Sequence, residues 1–141
     1  MINRMAVFLS VLAIGGCAAL NSSKECAQNF STEGNIITGK KFTTSFVVPG
    51  ATADRVFESL SVAMLKEGFH IESADPKRRY LSVYQDVNYS NKRAPLNAVV
   101  DPIPEGAKVT LVFVAAAGIY APESGVSAEF CKINESSSSK L

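Results

Sequence analysis

The chain has 141 residues, 47% of them hydrophobic, with three cysteines, one histidine and no tryptophan; 14 Lys and Arg against 13 Asp and Glu give a formal net charge of +1. A chain of this size can bury well over half of its unfolded surface in a single core. The charge balance argues against a nucleic-acid binder, whose affinity comes from neutralising phosphates.

The first segment is an address. Met1-Ile2-Asn3-Arg4 is a short basic start, Met5 to Ile14 is apolar, and Gly15-Gly16 leads to Cys17. The apolar run falls short of the roughly 20 residues a spanning helix needs, so it reads as an export signal. Ile14-Gly15-Gly16-Cys17 resembles the lipobox of bacterial lipoproteins, with Ile where Leu is favoured. The resemblance implies that residues 1–16 are a lipoprotein signal peptide and that Cys17 carries the lipid as the first mature residue. Ala18 lacks the aspartate that commonly retains such proteins at an inner membrane, which implies the periplasmic face of an outer membrane. Acyl chains contribute about 0.8 kcal/mol per buried CH₂, so several on one cysteine would hold a domain on a bilayer. The alternative is an ordinary secretory signal cut near Ala18-Ala19, with Cys17 discarded.

Residues 17–25 form a short polar tether, and a single domain is expected over 26–134. With Cys17 assigned to lipid, Cys26 and Cys131 are an even pair in an oxidising compartment, and a disulfide is the simple reading. Closing a loop of about 100 residues would stabilise by about 4 to 5 kcal/mol in the chain-entropy model. Zinc is a weaker use, because there is no CxxC and one histidine does not complete a site. No cofactor or metal is expected.

Ala27 to Lys41 reads as either a loop or an edge strand. Phe42, Thr44, Phe46 and Val48 alternate with Thr43, Ser45 and Val47, the period of a strand with one buried face, and Pro49-Gly50 stops it. A helix from about Thr52 carries Val56, Phe57, Leu60, Ala63 and Met64 on one stripe, with Asp54 in its first turn, Lys66 in its last and Gly68 as terminator. Phe69 to Ser73 alternates again, Phe69 and Ile71 against His70 and Glu72. Asp75-Pro76-Lys77-Arg78 is a turn. Tyr80 to Val87 is the hairpin partner, with Leu81, Val83 and Val87 opposite Tyr80, Ser82, Tyr84 and Asp86.

After a polar connection from Asn88 to Pro95, Leu96 to Val100 reads as a short strand and Pro102 to Gly106 as a turn. Lys108 to Ala115 is apolar on both sides, through Val109, Leu111 and Phe113 against Val112 and Val114, which predicts cover on both faces. A helix from Pro122-Glu123 places Val126, Phe130 and Ile133 on one stripe. It either supplies the second cover or packs at the sheet edge where Cys131 meets Cys26. Residues 135–141 read as a disordered tail. The predicted fold is α+β: an antiparallel sheet of four to five strands with one long helix on a face and a short C-terminal helix. Residues Ala53 to Val83 resemble the helix-grip domains of BamC-type outer-membrane assembly lipoproteins, a likeness that concerns fold and compartment.

His70, the only imidazole, is the first suspect for acid-base work. No GxSxG, HExxH or Gly-rich phosphate loop accompanies it, so an ordinary sheet-surface residue is the plainer reading. Tyr80, Tyr84 and His70 should share the face opposite the helix, where aromatic rings with polar tips suit recognition. They could instead be buried by the C-terminal helix or be scattered cross-strand pairs. Lys77-Arg78-Arg79 with Lys92-Arg93 form either a basic rim or a solvated turn and loop. The expected function is that of a membrane-anchored, non-enzymatic accessory or assembly subunit that binds another envelope protein. The alternative is a lipid or small-ligand carrier with a cavity under the helix, and a hydrolase using His70 ranks third.

Overall fold

The structure, a computed structural model, describes residues 25–88, 91–139 and 141. The expected signal peptide, Cys17 and the expected tether up to residue 24 lie outside the described residues. A single helical turn, α1 (25–28), is followed by β1 (Ser31–Asn35), β2 (Gly39–Pro49), α2 (Ala53–Lys66), β3 (His70–Asp75) and β4 (Tyr80–Asp86). Then come β5 (Arg93–Ile103), β6 (Gly106–Ala115) and α3 (Glu123–Ser138). The fold is α+β, with one antiparallel sheet in the order β1-β2-β6-β5-β4-β3.

The sheet has six strands rather than four to five. The additional one is β1, from the segment that read as loop or edge strand. Its residues carry no apolar alternation, and it exists because the turn after it folds back onto β2. Asn35 Oδ1 accepts hydrogen bonds from the backbone N–H of Ile37 (2.8 Å) and Thr38 (3.0 Å), and the register then pairs Asn35 with Gly39 and Ser31 with Thr43. An Asx side chain that mimics a backbone turn fixes a hairpin without help from the core.

The core lies between the sheet and the two long helices. Phe42, Thr44, Phe46 and Val48 point inward from β2, and Val109 and Leu111 from β6, Leu96, Ala98 and Val100 from β5, and Leu81 and Val83 from β4 join them. Val56, Leu60 and Met64 of α2 and Phe130 and Ile133 of α3 close the layer. Each large side chain removed from water in this way stabilises by roughly 1.5 to 3 kcal/mol.

The local signals for α2 act as expected. Thr52 caps it by accepting from Arg55 N–H, and Gly68, with φ of 86°, ends it while Phe69 N–H returns to the Met64 carbonyl at 3.1 Å. Because α2 leaves β2 and delivers the chain to β3 at the opposite edge, it must cross the sheet, and it touches β3, β4, β5 and β6. Cys26 and Cys131 are disulfide-bonded with Cα atoms 5.5 Å apart, which ties α1 to α3.

Two expectations are corrected here. Among the described residues no helix covers the outer face of the sheet, because α3 lies beside α2 and against β2 on the same side. Val112 is therefore only half-buried and Val114 is 36% exposed. In addition, α3 is not short, and residues 135–138 are not a tail. The helix continues to Ser138, with Asn134 and Ser137 fully buried. Small serines let it approach α2 closely: Ser59 Oγ donates to the Ser137 carbonyl at 2.6 Å, and Ser136 Oγ donates to Glu67 Oε1 at 3.3 Å. Lys132 pairs with the other oxygen of Glu67, and that hydrogen bond, with Glu129 nearby, raises the pKa of the Lys132 ammonium.

Candidate functional site

The outer face of the sheet is built by alternation along β4, where Tyr80, Ser82, Tyr84 and Asp86 point away from the helices. Antiparallel register then decides their neighbours: His70 on β3 lies opposite Tyr84, and Arg93 on β5 lies opposite Asp86. The His70 ring stacks on Tyr84 with centroids 5.3 Å apart and planes 28° apart. From β5, Arg93 Cζ lies 4.1 Å from the centroid of the same ring. Asp86 sits between the imidazole and the guanidinium, with Oδ2 4.0 Å from His70 Nε2 and Oδ1 3.9 Å from Arg93 Nε.

Tyr84 is thus held from both neighbouring strands. A guanidinium that is itself 59% exposed contributes about 0.5 to 1 kcal/mol over such a ring, and exposed ion pairs of this kind contribute about 0 to 1 kcal/mol. The cluster therefore fixes side-chain orientation more than it stabilises the fold. Further along the face, Tyr80 donates its hydroxyl to Asn97 Oδ1 at 3.1 Å. Ser82 donates to Glu72 Oε2 at 3.2 Å, a contact made where the β3–β4 register shifts between Ile71 and Ser73. Between these groups and β2 runs a strip of Val99, Thr110, Val112 and Thr43, all half-buried, that ends in Val114.

His70, Tyr80 and Tyr84 do share this face. The stretches Lys77 to Arg79 and Lys92-Arg93 do not come together: one lies at the Tyr80 end of β4 and the other at the Asp86 end, roughly 20 Å away for six residues of strand. Arg79 is also turned inward, donating from Nε to the Val100 carbonyl at 3.2 Å and from Nη1 to Asp54 Oδ1 at 3.1 Å. Sequence reasoning placed Asp86 on the same side as Tyr80 and Tyr84 but missed Arg93 as a member of the face, because Pro95 reads as the end of a loop when β5 has already begun. Pro95 is tolerated since the β5–β6 pairing starts only at Leu96, so its missing N–H falls where β5 has one neighbour.

On the other side of the sheet an apolar cleft of about 250 Å³ opens between α3 and the segment 116–122. Phe69, Leu96, Phe113, Tyr120, Val126 and Phe130 line it.

No protein-family model matches the chain, and no curated protein matches it.

Proposed function

We propose that the chain is an envelope lipoprotein, anchored through an acylated Cys17 to the periplasmic face of an outer membrane, whose domain is a non-enzymatic module that binds another envelope protein. The observation that carries this reading is the outer sheet face, left without cover by both long helices although Val99, Val112 and Val114 lie on it. Its aromatic side chains are pre-ordered, so little rotamer freedom remains to be lost on binding. Its charges are matched locally, Asp86 against Arg93 and Lys41 against Glu33 at 2.6 Å. The complementary partner is a protein surface that sets apolar side chains on the valine strip and hydrogen-bonding groups on Tyr80 and Asn97.

A photoreactive benzophenone amino acid in place of Val112, in intact cells, tests this. One reproducible adduct with an envelope protein, weakened by Tyr80→Glu, is expected. Correctly folded, membrane-associated protein that gives no reproducible protein adduct at this position would overturn it.

A second reading, a carrier of a lipid or other small ligand, is favoured by the apolar cleft under α3. At about 250 Å³ the cleft is smaller than the roughly 300 to 1,000 Å³ of ordinary ligand pockets, so this reading ranks second. A hydrolase using His70 ranks third, because that ring lies against Tyr84 on an open sheet surface.

A further inference from the structure

The end of the sheet where β1 turns into β2 carries an apolar surface unrelated to the outer face. Ile37 is 83% exposed, Tyr120 78% and Ile36 48%. Gly118, two residues before Tyr120, donates its N–H to the Ile36 carbonyl at 2.8 Å, so the turn and the 116–122 segment form one surface. The two hydrogen bonds from Asn35 Oδ1 hold the turn in shape. The isoleucines are therefore displayed by a fixed backbone, in a turn where polar residues would serve as well.

Beside this projection lies a recess, the cleft under α3, which Tyr120 itself helps to line. Its volume of about 250 Å³ corresponds to on the order of eight waters at roughly 30 Å³ each. That is room for the four-carbon side chain of Ile37. A knob and a hole side by side on one surface satisfy the condition for an isologous contact, in which each copy offers what the other receives. Like charges are brought close together near a two-fold axis, and here they are neutralised in advance. Lys40 pairs with Glu123 at 3.2 Å and Lys41 with Glu33 at 2.6 Å.

The chain before residue 25 joins the fold at the other end of β2. Val47 N–H donates to Glu25 Oε2 at 2.9 Å, and Val47 lies eight residues from Gly39, roughly 27 Å along the strand. The apolar end thus faces away from the point where residues 1–24 attach, which disfavours a bilayer as its cover. We infer that this end is a self-association surface, on which Ile37 of each copy enters the cleft under α3 of a second copy. The inference does not depend on what binds the outer sheet face.

The test uses the full-length chain in cells, with a benzophenone amino acid at position 37 and two differently tagged copies co-expressed. The expected product is an adduct of two copies, carrying both tags and joined from position 37 to the 120–126 region. Val126→Trp, which fills the cleft, should reduce it about tenfold or more, the effect of losing a central anchor. Should that variant misfold, as judged by loss of the Cys26–Cys131 disulfide, Tyr120→Asp tests the same surface without touching the core and should also reduce it. The probe placed at Asp101 should give no such adduct. Adducts to lipid alone, adducts to a different protein alone, no adduct, or a two-copy adduct indifferent to Tyr120→Asp would each overturn the inference.

Discussion

Thr44 Oγ1 donates a 2.6 Å hydrogen bond to the carbonyl of Cys26, and both residues are fully buried. This bond is why a hydroxyl sits among the phenylalanines on the inner face of β2. Thr44→Val keeps the shape and removes this buried hydrogen bond, which costs about 0.5 to 1.5 kcal/mol. Urea denaturation should show a lower midpoint with an unchanged slope.

Opening the disulfide should cost more. Cys131→Ser is expected to destabilise by about 2 to 5 kcal/mol. The wild-type protein should resist thiol labelling at both positions until reduced. Free thiols at Cys26 and Cys131 in protein taken from cells under non-reducing conditions would contradict the pairing.

Cys17→Ser should abolish acyl transfer and leave an uncleaved precursor or a soluble product. Metabolic labelling with a radioactive fatty acid checks this directly. No label on the wild type, together with unchanged membrane recovery of the variant, would remove the lipoprotein proposal.

His70 and Tyr84 separate a binding face from a catalytic one. His70→Ala, which removes one neighbour of the Tyr84 ring, should weaken function in cells only in part, whereas Tyr84→Asp, which removes the ring shared by His70 and Arg93, should impair it more strongly. Loss of function in His70→Ala with an unaltered thermal melt and an undiminished Val112 adduct would instead favour acid-base chemistry at the imidazole.

The clamp between α2 and α3 carries a pH signature. The pKa of Lys132 is raised, first by its hydrogen bond to Glu67 and then by Glu129, so the folded state holds that proton more tightly than the unfolded chain does. Its contribution to stability is complete below the ordinary lysine value, about 10.4, and is lost as pH rises through the raised value. Thermal melts on the alkaline side should therefore converge for wild type and Glu67→Gln, with the wild type higher only at lower pH.

Where the sequence was legible, a local signal and the tertiary contact agreed. The alternation of β2 matched its buried face, the start near Thr52 and the glycine of α2 matched its ends, and the turn after Asp75 matched the hairpin, with Asp75 Oδ1 accepting from the N–H of Lys77 and Arg78. Period two also placed His70, Tyr80 and Tyr84 on one side. What stayed hidden depended on partners distant in the chain. β1 is a strand because β2 lies beside it, and the serines of α3 are helical because α2 receives them. The apolar outer side of β6 shows only which way Val112 and Val114 point. It does not say whether a helix of the same chain lies there, and α3 goes to the other face because the disulfide ties it to α1 and Glu67 holds it next to α2.

The disulfide also governs how the domain responds to being pulled. It joins residues 105 apart, so β1 to β6 and α2 all lie inside one covalent ring. Tension applied between the N-terminal tether and the C-terminus passes through Cys26 and Cys131 and bypasses the sheet. Under load the chain can lengthen only by the segments outside the ring and by the ring's own width, while the hydrogen-bonded strands that carry both apolar surfaces stay unloaded. A domain held by residues before Cys26 and by residues after Cys131 would keep its sheet intact under forces that unravel an open chain of the same fold.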